Sequence, residues 1–180
     1  MALATENAWP QDMPLEGIVV TRYGHALPTQ RIKIIEASHP IPDSDGEHAS
    51  KQIMSAIRTL HAEDLLLCFW SGGGSSLLPL PIPGITLQDL QHITHQLLSC
   101  GANIQEINTV RKHLSAIQGG RLAAACKAPV LSLIISDVTG DAATHIASGP
   151  CAPDPTTCAD ALAVIDRYDL EVSSSIREIL

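Results

Sequence analysis

Three short polar segments carry the residue types that could do chemistry: SGGGSS at 71–76, VRKHLS at 110–115 and SDVTGD at 136–141. The first puts three glycines between hydroxyls. Ser71, Gly72, Gly73, Gly74 and Ser75 leave the backbone N–H groups open to close approach, which is what binding a phosphate or carboxylate requires. An ordinary glycine turn would read the same way. In the third segment Asp137 and Asp141 are hard oxygen donors of the kind Mg²⁺ accepts alongside phosphate and water. Asp141 is equally readable as a cap or turn residue, and Asp137 as a loop acid. On the helix predicted over VRKHLS, Lys112 lies almost opposite the apolar stripe of Ile104, Ile107, Val110, Leu114 and Ile117, so it is expected to face water or a cleft. Beside a phosphate loop it would act as a point-charge clamp on a transferred phosphoryl group. Arg111, nearer the edge of the stripe, could make a bidentate contact to an anion or simply pack on the helix surface.

Other chemistries find less support. His92 and His95 have no third ligand in view, so a zinc site is not indicated. The serines around the glycines do not form G-x-S-x-G. No Walker loop occurs, and Leu77 stands where the dinucleotide fingerprint would need its third glycine. Five cysteines without a C-x-x-C pair indicate neither a disulfide framework nor a metal knot.

The elements that must position these segments follow from patterning. The apolar run at 65–70 reads as a strand buried on both faces that empties into the glycines, and 130–135 reads as a second such strand. Shorter strands are predicted at 17–20 and 31–35, with residues 1–16 poorly ordered. Helices are predicted over 47–60, from the Thr86/Asp89 capping pair to Gly101, from Asn103/Glu106, near Gly120, from Asp154 as N-cap through Tyr168, and from Ser175/Glu178. Strand, helices, strand predicts an α/β, Rossmann-like fold, with a mostly parallel sheet, flanking helices and an incomplete domain over 17–180. In such sheets ligands bind beyond the carboxyl ends of the strands, which is where SGGGSS and SDVTGD fall.

The 180 residues carry 19 acidic and 11 basic side chains, a net charge of −8, which with no basic block argues against nucleic acid. Neither a signal peptide nor a membrane span is legible, so the expected location is the cytoplasm.

With those blocks in view the chain resembles the glycerate 2-kinase family, two-domain enzymes whose members often bear the label hydroxypyruvate reductase. The resemblance rests on VVTRYGHALP (19–28), EASHPIPD (36–43), SGGGSSLL (71–78), NTVRKHLSAIQGGRLA (108–123), ISDVTGDAATHIASGP (135–150) and PDPTTCADAL (153–162), in that order. It implies ATP-dependent, Mg²⁺-assisted phosphorylation of the 2-hydroxyl of D-glycerate in a cleft between a Rossmann-like domain and a smaller one. Carried over, Ser71 to Ser75 match the cleft loop that would hold nucleotide phosphate or the glycerate carboxylate. Lys112 and Asp137 match catalytic positions, Arg111, Ser148 and Gly149 substrate-binding ones, and Asp137 with Asp141 a metal pair. The family's additional GAGK-type region and second domain are not represented. The chain therefore resembles a middle slice, expected to have little kinase activity alone. Its expected partner is the remainder of the enzyme or a second copy. The rival readings are an NAD(P)H-dependent hydroxypyruvate reductase and a non-catalytic fragment that joins a partner chain through bare sheet edges.

Overall fold

The computed structural model describes residues 1–136 and 140–180. Its elements are α1 (Ala2–Ala8), β1 (Gly17–Arg22), β2 (Ile32–Ala37), α2 (Ser44–Arg58), β3 (Leu66–Trp70), α3 (Gly74–Leu77), α4 (Leu87–Ser99), α5 (Ile104–His113), α6 (Arg121–Ala124), β4 (Val130–Ile134), a 3₁₀ turn (Ile146–Ser148), α7 (Cys158–Arg167) and α8 (Ser174–Ile179). Among the described residues all strand pairing is parallel: β1 lies beside β2, and β3 beside β4, in two two-stranded sheets rather than one. The α/β class with parallel strands and flanking helices is as the patterning predicts.

Residues 23–31 close the β1–β2 connection, a short crossover for a parallel pair. Glu6 holds it: its carboxylate accepts backbone N–H groups of Gln30, Arg31 and Ile32 at 2.9, 2.6 and 2.6 Å. That contact gives residues 1–16, expected to be poorly ordered, a helix with a tertiary anchor.

Helix starts follow local chemistry. Thr86 and Asp89, and Asn103 and Glu106, form reciprocal capping boxes, each side chain answering the other's backbone N–H. Helix α2 begins earlier than its apolar spacing indicates, because Asp43 caps it by accepting from Gly46 N at 2.9 Å. Helix α7 begins later than predicted. Thr157, not Asp154, is its N-cap, in a capping box with Asp160, and Asp154 is committed elsewhere.

Two apolar cores result. Leu90, Ile93 and Leu97 of α4 meet Ile107 and Val110 of α5 and Ala161 and Ile165 of α7 in one. Met54, Ile57, Cys68, Leu78, Ile117 and Leu122 form the other, under β3. Helix α5 and the chain just beyond it lie between these cores, and this placement fixes its polar face against the candidate site.

Candidate active site

Helix α5 is buried on both sides. Its apolar side carries Ile107 and Val110, while its polar side buries Asn108, Thr109, Lys112 and His113. What covers that polar side is the turn at Ile146–Ser148 and the segment leading to Asp154. Lys112, expected to face water or a cleft, is instead 0% exposed, with Nζ 2.6 Å from Asp154 Oδ1 and 3.5 Å from Thr144 Oγ1. The helical wheel located the apolar stripe correctly but could not show that a polar layer is packed on the opposite face. Burial alone would raise the Asp154 pKa. Hydrogen bonds from Lys112 and from the Thr156 hydroxyl and N–H outweigh it and hold the carboxyl below its ordinary value. His113 Nδ1 sits 2.9 Å from Thr109 O and 3.9 Å from the second Asp154 oxygen. The lysine and aspartate therefore fasten α5 to the chain between the turn and α7.

The glycine loop and the SGP turn meet. Ser75 Oγ and Ser148 Oγ are 2.8 Å apart, Ser148 Oγ donates to Asn108 Oδ1 at 3.1 Å, and Asn108 Nδ2 donates to His145 O at 3.3 Å. Gln118 Nε2 donates to Ser75 O at 2.7 Å, and Gly119 and Gly120 N–H groups donate to Ser148 O and Gly149 O at 3.0 and 2.7 Å. Ala147, Ser148 and Gly149 are consecutive residues with φ of 50°, 57° and 58°. Left-handed backbone is costly for Ala and Ser, of order 1–3 kcal/mol each, and such strain concentrates at ligand sites. Gly149 must be glycine on a second ground, since a Cβ there would stand 2.9 Å from Thr144 Cα. A Cβ on Gly74 would stand 2.7 Å from Ala147 Cβ, so backbone approach is what brings the two segments together.

Around this junction the charge is positive. Arg111 is largely desolvated, which lowers its pKa, and among the described residues it has no carboxylate partner. It lines a cavity of about 20 Å³ with Ser75, Ser76 and Gln118, and the Gln118 Oε1 atom there is buried without a partner. A Cβ on Gly73 would stand 2.9 Å from His39 Nε2. Burial first, then the positive charges of Arg22 and Arg111, lower the His39 pKa. Among the described residues the N–H groups of Gly72 and Gly73 have no hydrogen-bond partner. A cation without a counter-ion beside open amides is a place for an anion. A wider groove of about 750 Å³ lies between α4 and residues 169–173 and includes none of these groups.

Of the residues singled out from sequence, Gly73, Gly74, Ser75, Arg111, Ser148 and Gly149 come together, with Ser71 and Gly72 exposed at the edge of the loop. Asp141 is exposed with φ of 51°, in keeping with its turn reading, and among the described residues no cluster of three His, Cys, Asp or Glu could hold a metal ion. Asp137 lies outside the described residues. His39, Asn108, Gln118 and Asp154 were not picked out for the site from sequence. Only the spacing of Asn108 and Lys112, four apart on one helix face, could have signalled a polar contact.

A parallel α/β scaffold that presents a glycine loop against a strained SGP turn defines the class. Over residues 1–180 the chain belongs to the family described as Domain of unknown function (DUF4147). It is 54% identical, over 100% of its length, to a putative hydroxypyruvate reductase of Agrobacterium vitis, covering 41% of that protein. It is 44% identical to the D-glycerate 2-kinase of Thermotoga maritima, over 92% of this chain and 40% of that one. The crystal structure of a Pyrococcus horikoshii protein superposes with a TM-score of 0.88 at 44% identity, over 98% of this chain and 40% of that one. The crystal structure of a glycerate kinase from Thermotoga maritima gives 0.84 at 44% identity, over 91% and 40%. The chain thus spans about two fifths of the length of these relatives.

Proposed function

We propose that this chain supplies the anion-binding half of a glycerate 2-kinase active site, in which ATP phosphorylates the 2-hydroxyl of D-glycerate. The observation that carries the reading is the junction itself: open amides at Gly72 and Gly73, a serine pair at 2.8 Å, and an Arg111 guanidinium without a counter-ion. Phosphoryl transfer asks a protein mainly to position reactants and screen charge. Arg111 and the loop amides hold the negative oxygens of phosphate or the glycerate carboxylate. The Ser75 and Ser148 hydroxyls orient what binds between them, and neutral His39 adds no charge.

Lys112 acts one layer behind, through Asp154, by fixing the turn. Mg²⁺ requires only one or two carboxylates when phosphate and water complete its shell, and exposed Asp141, with Asp137, are the oxygen donors assigned to it. When bound, the metal neutralises charge across the transferred phosphates.

The reductase reading is carried by the names of the Agrobacterium relatives. Against it, the loop here runs into a four-residue helix, α3, with Leu77 buried in place of the third glycine. A dinucleotide site sets its pyrophosphate on a full helix.

ADP release with D-glycerate, measured beside NAD(P)H absorbance with hydroxypyruvate, separates the two in a polypeptide that joins this sequence to the remaining region of its relatives. ADP release is expected, with Arg111→Ala lowering kcat/KM by about 10²-fold. Consumption of NAD(P)H, or an Arg111→Ala variant with unchanged turnover, overturns the reading.

A further inference from the structure

The core behind the junction gathers three of the five cysteines. Cys68 on β3 is 7% exposed, while Cys126 after α6 and Cys151 immediately after Pro150 are half-buried. All three pack with Met54, Ile57 and Leu122, beside Trp70. Two polar atoms are buried in the same region without a hydrogen-bond partner of good geometry, Trp70 Nε1 and Ser132 Oγ. Ser132 stands opposite Cys68 in the β3–β4 register.

Both polar groups bear on the Cys151 sulfur, and so does the Cys68 thiol. Three donors converging on one sulfur favour its thiolate. Cys151 is accordingly held below the ordinary thiol range, first by Cys68 and then by Trp70 and Ser132 against the effect of burial, while the donating Cys68 is pushed up. A half-exposed thiolate next to a second, protonated cysteine is the arrangement of a thiol that reacts first and one that resolves.

We propose that Cys151 is a hydroperoxide-reactive cysteine and Cys68 its resolving partner, so that oxidation ties β3 covalently to the residue following the SGP turn. In the first step the Cys151 thiolate attacks the distal peroxide oxygen. A sulfur–oxygen bond forms, the oxygen–oxygen bond breaks, and the leaving alkoxide or hydroxide takes a proton to give alcohol or water. In the second, Cys68 loses its proton and attacks the Cys151 sulfenic sulfur. The disulfide forms and water departs, so the two thiols are oxidised and one peroxide is reduced. A dithiol reverses the link by exchange. The proposal stands apart from whatever ligand the neighbouring cleft takes.

The 180-residue chain treated with one equivalent of hydrogen peroxide, then alkylated and digested, tests this by peptide mass. Expected is a Cys68–Cys151 disulfide, with exposed Cys100 and Cys158 still alkylated. In Cys68→Ser the sulfenic acid on Cys151 is expected to be trapped by dimedone, and in Cys151→Ser Cys68 is expected to stay reduced. Should a serine variant misfold by far-UV circular dichroism, the wild-type protein still decides. Iodoacetamide at mildly acidic pH is expected to modify Cys151 about tenfold faster than Cys100. Equal rates, oxidation of Cys100 or Cys158 ahead of Cys151, or both Cys68 and Cys151 remaining alkylatable after peroxide overturns the assignment.

Discussion

Lys112 and Asp154 show how a single charge can be wholly structural while standing one layer from a ligand site. Removing one partner of a buried pair leaves the other desolvated and alone, so Lys112→Ala is expected to destabilise the fold by about 3–5 kcal/mol. Thermal melting of that variant checks this, and adding Asp154→Ala is expected to restore part of the loss. The pH dependence has a definite sign. Asp154 is held below its ordinary value of 3.8, so its contribution is fully present above that value and is lost as pH falls through the lower folded pKa. An acid titration of stability is therefore expected to be shallower in Asp154→Asn than in wild type. A Lys112→Ala protein as stable as wild type would show that the pair contributes nothing net.

Helix caps belong to the next scale, and there the local sequence is a good guide. Thr86 accepts from Asp89 N at 3.1 Å while Asp89 accepts from Thr86 N at 2.9 Å, so Thr86→Ala is expected to cost about 1 kcal/mol. Denaturant unfolding measures it, and a change within a few tenths would show that other contacts already fix the start of α4. The Thr86 and Asn103 caps, the strand that empties into the glycines, and the β4 run were all legible, because each depends on residues within a few positions. Asp154 was not. Asp followed by Pro reads as a helix start, but the aspartate bonds Lys112, 42 positions away, and the helix begins at the next usable cap. The site was partly legible for the same reason. Periodicity identifies which face of α5 is apolar, but it carries no information about a polar layer covering Asn108 and Lys112, or about His39 lying against Gly73.

At the scale of the whole molecule, β4 leaves Leu131, Leu133 and Ile135 exposed at 47%, 47% and 62%. Parallel strands are ordinarily covered on both faces, and the relatives are more than twice as long as this chain. The isolated 180-residue protein is therefore expected to associate as its concentration rises, and Leu131→Lys with Leu133→Lys to suppress that association. Sedimentation velocity decides, and a wild-type chain that stays monomeric throughout would show the face to be harmless in water. The contact between Gly74 and Ala147 reaches further than either segment. A methyl group at 74 has no room while one stands at 147, and the left-handed backbone at 147 would suit glycine better than alanine. Exchanging the two residues together should thus be gentler than enlarging position 74 alone. Two sites 73 positions apart have in effect a joint inheritance, each restricting the side chains that descent can try at the other.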